Sequence, residues 1–309
     1  MVDSKKQWKA WLYLAPAIVL LLVFTVWPII NTLRMAFLDN YNGMRAVAGE
    51  KFNIGIENFK KVVEFKDFFV CLKNTALLCV ITVPVSTLLA LLISSALNSI
   101  KFLQKFLQTI FFLPYVTNSI AIGMVFAAMF NMVRTVRIIQ TAGIVNNVIM
   151  FFGGQPVNWI NAGSTYWANM VVMIIYIVWN ALPFKILILL GGMQSINKQY
   201  YDAAKVDGSS RSRILWKITV PLLSPMIAYV VITGFIGGFK EYTSIVGIFG
   251  ENMGPASAAG RLNTMVGYIY DALPNNDYGR ASAAALILFG IILIVTLINL
   301  QVSKKRVHY

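Results

Sequence analysis

The chain has 309 residues, of which 58% are hydrophobic and 12% are charged, and its formal net charge is +14. A soluble domain of this size carries about 25% charged residues, so the composition excludes an ordinary soluble protein. The apolar residues also cluster into runs of about 20 residues, the length that crosses a bilayer as a helix. We therefore predict an all-α polytopic membrane protein with one transmembrane domain over residues 1–309.

Six apolar runs predict six transmembrane helices, at 11–36, 74–97, 106–131, 166–193, 219–246 and 281–302. The first run is longer than the 7–15 apolar residues of a cleaved signal peptide. Lys5, Lys6 and Lys9 precede it, so we expect an uncleaved anchor whose N-terminus is cytoplasmic. Six spans then place the C-terminus in the cytoplasm as well.

Basic residues in the connectors agree with this orientation. The connectors assigned to the inside hold 13 Lys and Arg residues against three acidic residues, as the positive-inside rule requires. Because the excess lies on one face, it indicates orientation and contact with lipid headgroups, and we expect no nucleic-acid partner.

Three long connectors fall on the predicted outside. Residues 52–73 have helical apolar spacing and predict an amphipathic helix, either a lid on the bundle or a contact for an external partner. The connector 132–165 contains a possible short helix at 139–151, and 247–280 is rich in glycine and proline. Loops of this length are usually functional or disordered.

The chain lacks the residue sets of the common catalytic and metal sites. Cys71 and Cys79 are about 12 Å apart on a helix, too far for a disulfide, and His308 is the single histidine. There is no phosphate-binding G-x-x-x-x-G-K-[ST] loop. We therefore expect no metal, no cofactor and no enzymatic activity in this chain, and any ATP must bind to another chain.

The inside connector at 195–217 is more elaborate than a turn requires. It predicts a helix over 195–206 capped by Ser195, a left-handed helix end at Gly208, and a second short helix over 210–217. Ala203 and Ala204 offer a small-residue face that would fit a narrow cleft. On chemistry alone, an amphipathic helix held on anionic lipid is the favoured interpretation.

The spacing from Asp202 to Pro221, D-A-A-x-x-x-G-x(9)-I-x-V-P, closely resembles the EAA motif of bacterial ABC importer permease subunits, E-A-A-x-x-x-G-x(9)-I-x-L-P. Asp202 and Val220 are the two conservative departures. The stretches LAPAIVLLLVFTVWPIINTLRMAF, FLPYVTNSIAIGMVF, LGGMQSINKQYYDAAKVDG and DYGRASAAALILFGIILIVTL are similar to the carbohydrate-uptake branch, the maltose-type and glycerol-phosphate-type permeases. The resemblance covers roughly residues 10–303.

The resemblance implies a machine in the bacterial cytoplasmic membrane. A second homologous permease subunit shares the pathway, two ATPase subunits bind ATP and Mg, and an external solute-binding protein delivers a sugar or oligosaccharide. The connector 195–217 would be the coupling helix, set into a cleft on an ATPase subunit. The positions that match the motif are Asp202, Ala203, Ala204, Gly208, Ile218 and Pro221.

Ionisable residues inside spans are candidates for a functional site. Snorkelling to the interface or pairing between helices would also explain them. Our candidates for the substrate pathway, with their polar and aromatic neighbours, are Tyr115, Asn118, Asn180, Lys185, Phe239, Lys240, Glu241 and Tyr242. Gly234 and Gly238 form a G-x-x-x-G pattern that indicates close helix packing.

Three alternatives stay open. An importer for glycerol phosphate or another polyol-like solute would need cationic residues in the pathway, for which Lys185 and Lys240 are the candidates. An ion-coupled secondary transporter would work without an ATPase. An integral membrane enzyme is disfavoured because no nucleophile or metal set is present.

Overall fold

The computed structural model describes residues 7–100, 104–134 and 139–306. The described residues are mainly helical, with one short antiparallel hairpin, β1 Met132–Arg134 and β2 Ile139–Ala142. The hairpin is an addition to the predicted all-α fold. Lys5, Lys6 and His308 lie outside the described residues. The helices are α1 Gln7–Leu21, α2 Trp27–Ala36, α3 Gly43–Val47, α4 Glu57–Glu64, α5 Phe68–Ser99, α6 Gln104–Phe112, α7 Ser119–Phe130, α8 Ile144–Phe151, α9 Tyr166–Ser195, α10 Lys198–Val206, α11 Arg211–Ile214, α12 Val220–Leu222, α13 Ser224–Phe239, α14 Thr243–Phe249, α15 Met265–Asp271 and α16 Tyr278–Arg306.

Four of the six predicted spans fall within continuous helical segments. Within the described residues, the segments long and apolar enough to cross a membrane are Trp8–Ala36, Phe68–Ser99, Tyr166–Ser195 and Tyr278–Lys304. Two further pairs of helices meet the same test if each bent pair counts as one span. The described chain therefore offers four to six crossings.

The third predicted span, 106–131, is interrupted. Helical segments Phe106–Val116 and Ser119–Phe130 meet at an angle of 99°. Thr117 and Asn118 have extended backbone conformations, and the Asn118 side chain accepts hydrogen bonds from the backbone N–H groups of Ile120 (2.8 Å) and Ala121 (3.3 Å). Such a cap begins a new helix, so the prediction of one continuous helix is wrong here.

The fifth predicted span, 219–246, is also interrupted. Segments Arg211–Leu222 and Ser224–Phe239 meet at 72°. Pro225 has no N–H to donate to the carbonyl of Pro221, and its ring crowds that carbonyl, so the helix bends. At the other end α13 stops at Phe239, and α14 begins only at Thr243. The overall hydropathy of the run predicts one span and concealed both breaks, although Lys240 and Glu241 lie at the second.

Two π-helical turns precede prolines at the same offset. The turns Leu22–Val26 and Leu215–Thr219 each end two residues before a proline, Pro28 and Pro221. A proline cannot donate to the carbonyl four residues earlier and clashes with it in an α-helix. A wider turn relieves that clash, and the helix continues.

The chain divides into two compact units, Met1–Phe68 with Tyr268–Phe289 and Phe69–Gly267 with Gly290–Tyr309. In the first unit, α4 packs as a lid, because Asn58 donates to the backbone carbonyls of Ala36 (3.1 Å) and Leu38 (2.7 Å). The Arg280 guanidinium lies 4.9 Å from the ring centre of Phe65, a cation–π contact. Within the predicted amphipathic segment 52–73, helix α4 thus packs against the rest of the first unit.

The second unit holds two hydrophobic clusters and one very close helix crossing. One cluster centres on Met173 and Tyr176 of α9, and the other on Leu189 and Leu190 of the same helix. Helices α7 and α14 cross at Gly123 and Gly247, where a Cβ built on Gly123 would lie 2.6 Å from the Cα of Gly247. Only glycine permits this approach of two backbones.

Gly123→Ala should therefore destabilise the protein by about 1–3 kcal/mol, because the new methyl group forces two helix backbones apart. Thermal unfolding of the detergent-solubilised chain measures the effect. Gly191→Ala is the matched control, since a Cβ there meets no atom within 4 Å. Equal melting temperatures for the two variants would contradict the close crossing.

Candidate functional site

A cavity of about 320 Å³ lies within the second unit. Helices α5, α9 and α13 form its walls. The turn at 113–116 contributes Tyr115, and Glu241 lies two residues after the end of α13. Its polar lining residues are Thr82, Ser86, Asn180, Lys185, Thr233 and Glu241. Hydroxyl, amide and carboxylate groups thus face a common space inside an otherwise apolar bundle.

Lys185 is buried at one side of this cavity, with 4% of its surface exposed. Its ammonium donates to the Ser86 hydroxyl (2.7 Å), the Thr87 hydroxyl (2.9 Å) and the Val83 carbonyl (3.1 Å). An ammonium has three N–H donors, so these contacts use all of them. In the described part of the chain, no ion pair within 4.0 Å includes Lys185. The side chain therefore joins α9 to α5 and has no donor left for a ligand.

Glu241 lines the same cavity and caps α14. Its Oε1 accepts hydrogen bonds from the backbone N–H groups of Tyr242 and Ser244, both at 3.1 Å. Its backbone carbonyl accepts a hydrogen bond from the Thr264 hydroxyl at 2.8 Å. A carboxylate at a helix N-terminus is favoured by the helix dipole. Glu241 thus fixes the start of α14 at the edge of the cavity.

An aromatic pair completes the lining. Tyr115 and Phe184 stack with ring centres 5.8 Å apart and an interplanar angle of 19°. Flat aromatic surfaces beside a few hydrogen-bonding groups are typical of small-molecule sites. Within this cavity, the stacked pair lies alongside neutral hydroxyl and amide groups.

The structure brings together four of the eight predicted pathway residues, namely Tyr115, Asn180, Lys185 and Glu241. The other four lie outside the lining. Asn118 caps α7, Phe239 is buried, Lys240 is exposed, and Tyr242 packs against the cluster centred on Met173. None of these four lines the cavity, and their place in the pathway stays a prediction.

Four further lining residues were not predicted from the sequence, namely Thr82, Ser86, Phe184 and Thr233. A signal was present for two of them, since Thr82 and Ser86 are four residues apart in an apolar run and share a helix face. The predicted close packing at the G-x-x-x-G pattern is confirmed. A Cβ on Gly238 would lie 2.8 Å from the Cys79 sulfur, and one on Gly234 would lie 3.3 Å from the Lys185 nitrogen.

A second cavity, of about 360 Å³, lies beside the 99° bend. Its lining includes Leu113, Ile122, Phe126 and Trp179, and Thr117 is its one hydroxyl residue. Such a surface provides almost no hydrogen bonds for a polar ligand. The cavity lined by Lys185 is therefore the better candidate for a polar ligand.

The connector 195–217 forms two short helices joined at a corner. Helix α10 begins after Asn197, whose side chain accepts a hydrogen bond from the Gln199 N–H at 3.0 Å, so Asn197 rather than Ser195 is the cap. Gly208 has the predicted left-handed conformation, with φ of +68°. Helix α11 then begins after Ser210, which caps it through the Arg213 N–H at 3.3 Å.

The two alanines of the connector face different ways. Ala204 is 6% exposed and packs inside the chain, whereas Ala203 is exposed. The predicted two-alanine face for a partner is therefore wrong, and only Ala203 is accessible. Val206 is 88% exposed and is the most exposed large apolar side chain of α10.

The remaining positions of the motif vary in exposure. Asp202 is exposed and pairs with Lys205 at 3.2 Å, a surface ion pair of little energetic weight. Ile218 and Pro221 are half-buried. The exposed part of the motif thus lies on α10 and the corner.

A family model described as "binding-protein-dependent transport system inner membrane component" matches residues 83–308, a range that includes the connector, every cavity-lining residue except Thr82, and α16. The chain belongs to this family. The resemblance of the 202–221 spacing to importer permeases is thereby confirmed. The permease is therefore a membrane-embedded transport subunit.

Named transport permeases are similar in sequence over nearly the full length of this chain. The permease is 30% identical over 305 residues to the arabinooligosaccharides transport system permease protein AraP of Bacillus subtilis, covering 97% of this chain and 90% of the relative. It is 28% identical to the sn-glycerol-3-phosphate transport system permease protein UgpA of Agrobacterium fabrum, covering 97% and 96%.

A solved structure has the same fold. The crystal structure of a bacterial alginate ABC transporter in complex with an alginate pentasaccharide-bound periplasmic protein contains a chain that matches with a TM-score of 0.77. That chain is 22% identical, with coverage of 97% of the permease and 96% of the crystallised chain. The match establishes the ABC permease fold.

Proposed function

We propose that this permease is the membrane-spanning subunit of an ATP-driven importer for a sugar or oligosaccharide in the bacterial cytoplasmic membrane. The observation that carries the proposal is the polar cavity inside the apolar bundle, with its hydroxyl and amide groups beside the stacked Tyr115 and Phe184 rings. Sugars offer many hydroxyl groups and flat apolar ring faces, and this lining matches both. The relative named for arabinooligosaccharides supports the same cargo class.

A neutral cargo suits the cavity better than a phosphorylated one. The ammonium of Lys185 already donates three hydrogen bonds to protein oxygens. Lys240 is exposed and lies outside the lining, and Glu241 adds a negative charge to it. Among the described lining residues, a phosphate would therefore meet no cation with a free donor, although one relative is named for glycerol 3-phosphate.

The connector 195–217 is the proposed docking element for an ATPase subunit. It is exposed at Ala203 and Val206, and its corner at Gly208 is held by hydrogen bonds from Gly208 N–H to the Lys205 carbonyl (3.0 Å) and from Ser209 N–H to the Ala204 carbonyl (2.9 Å). A structured connector can transmit a displacement of the ATPase subunit to the spans, whereas a flexible loop would deform instead. The basic excess of the inside connectors supports cytoplasmic placement of this face and of both termini.

The proposed assembly has five protein chains, this permease included. A second homologous permease subunit shares the pathway, two ATPase subunits bind ATP and Mg, and an external solute-binding protein delivers the cargo. Closure of the ATPase pair would favour one of two packed states of the permeases, which gives alternating access. Catalysis of ATP hydrolysis thus belongs to the partner chains.

Reconstituted uptake tests this function. The permease is assembled in liposomes with its second permease and its ATPase subunits, and its binding protein is added outside. We expect ATP-dependent uptake of labelled arabinotriose or lactose that persists when ionophores collapse all ion gradients. Excess sn-glycerol 3-phosphate should not compete.

Two results would overturn the proposal. Uptake by the permease alone, driven by an ion gradient, would indicate a secondary transporter. Uptake of glycerol 3-phosphate in preference to every neutral sugar tried would refute the neutral cargo while leaving the importer mechanism in place.

A further inference from the structure

The coupling connector is attached to the fifth span in two places. The chain itself runs from α10 through the corner at Gly208 to α11, the π-turn Leu215–Thr219 and α12. In addition, the Thr219 hydroxyl donates to the Tyr201 hydroxyl at 3.3 Å, across 18 residues of sequence. This contact closes the helix–corner–helix unit into a ring.

The environment of the two residues shows that the contact is specific. Thr219 is 5% exposed, and Tyr201 is half-buried, whereas the neighbouring Tyr200 is 56% exposed. Adjacent residues on a helix project about 100° apart, so only one of the two tyrosines turns inward. The chain therefore carries a matched tyrosine without the contact, one residue away.

Thr219 lies where the connector meets the packed bundle. It ends the π-turn, and Val220 and Leu223 immediately after it pack in the cluster that contains Met193 at the end of α9. Gly192 lets α9 approach closely here, since a Cβ on it would lie 2.8 Å from the Leu223 side chain. A displacement of Thr219 would thus be passed directly to two spans.

A single glycine corner would act as a hinge. Gly208 carries the left-handed conformation, and rotation of α10 about it relative to α11 and α12 is opposed by the packing of Ala204 and by the contact between Tyr201 and Thr219. The hydroxyl contact restrains that rotation, because it fixes a second point of α10 to the base of the fifth span. With both the Gly208 corner and the hydroxyl contact in place, a movement of α10 also moves the start of the fifth span.

We infer that Tyr201 is a positioning residue for transport, which restrains the coupling helix relative to the fifth span through the Thr219 hydroxyl. The inference rests on the proposed function, since it presupposes that an ATPase moves α10. Tyr201 does not line the cargo cavity, and its hydroxyl points toward Thr219 rather than toward the exposed face of α10. Its loss should therefore affect the efficiency of coupling rather than docking or cargo binding.

The test is the ratio of sugar transported to ATP hydrolysed in the full reconstituted complex. Tyr201→Phe removes the hydroxyl and keeps the ring. The contact is at the long, weak end for hydroxyl pairs, so we expect the ratio to fall about two- to fivefold, with complex assembly unchanged. Thr219→Val should give the same loss, Thr219→Ser should retain the wild-type ratio, and Tyr200→Phe should behave as wild type.

The double variant Tyr201→Phe with Thr219→Val should be no worse than either single variant, because one contact cannot be lost twice. An unchanged ratio in Tyr201→Phe would overturn the inference, as would equal losses in Tyr201→Phe and Tyr200→Phe. A fall in assembly with a normal ratio would show a purely structural contact and would also overturn it. Failure of the wild-type complex to transport sugar would instead refute the proposed function.

Discussion

Gly237→Trp should abolish sugar uptake while leaving the permease folded and assembled with its ATPase. Gly237 lines the polar cavity, and a Cβ built on it meets no atom within 4 Å. A large side chain can therefore enter the space without moving the helix backbone. Cargo and indole would then compete for the same volume, and a cost of about 3 kcal/mol to cargo binding corresponds to a roughly 100-fold loss of uptake.

The control for this variant is Gly191→Trp. Gly191 is an exposed helix position in α9 with the same open space around its built Cβ, and it lies outside the cavity lining. Uptake by reconstituted complexes, with co-purified ATPase as the measure of assembly, compares the two. Normal uptake by Gly237→Trp would show that cargo does not pass through this cavity.

Val206→Glu should prevent the ATPase from docking. Val206 is the most exposed apolar side chain of the connector, 88% exposed on the helix that is proposed to enter the ATPase cleft. Burying an unpaired carboxylate in an apolar contact costs about 3 kcal/mol or more. We expect co-purification of the ATPase with the tagged permease to fall about 100-fold and ATP-driven uptake to disappear.

The chain offers a matched control on another surface. Val47, at the end of α3, is 91% exposed, and the connector that contains it is assigned to the outside. Val47→Glu introduces the same charge at the same exposure, and it should retain ATPase binding. If Val206→Glu also retained the ATPase, the connector would not be the docking element.

Features that depend on neighbours along the chain were predictable. The 202–221 spacing identified the family, since a motif of fixed spacing is a property of the sequence alone. The left-handed Gly208 followed from a glycine at the end of a helical pattern. Apolar runs located the helical segments, because crossing a bilayer requires a minimum length of apolar helix.

Interruptions within apolar runs were harder to predict. Hydropathy is the same for a straight helix and a bent pair, so 106–131 and 219–246 were each predicted as one helix. The cap at Asn118 and the bend near Pro225 became visible only in the backbone geometry. Proline alone is a poor guide, because Pro84 and Pro183 lie inside unbroken helices.

The sequence by itself determined the class of protein, the positions of its apolar helices and the connector that resembles a coupling element. Tertiary structure decided which polar groups share a cavity, that Lys185 is fully engaged, and that Ala204 faces inward while Ala203 faces outward. The physical reason is distance along the chain. Helix formation and turns depend on residues a few positions apart, whereas the Ser86 hydroxyl that holds Lys185 is 99 residues away and meets it only through packing.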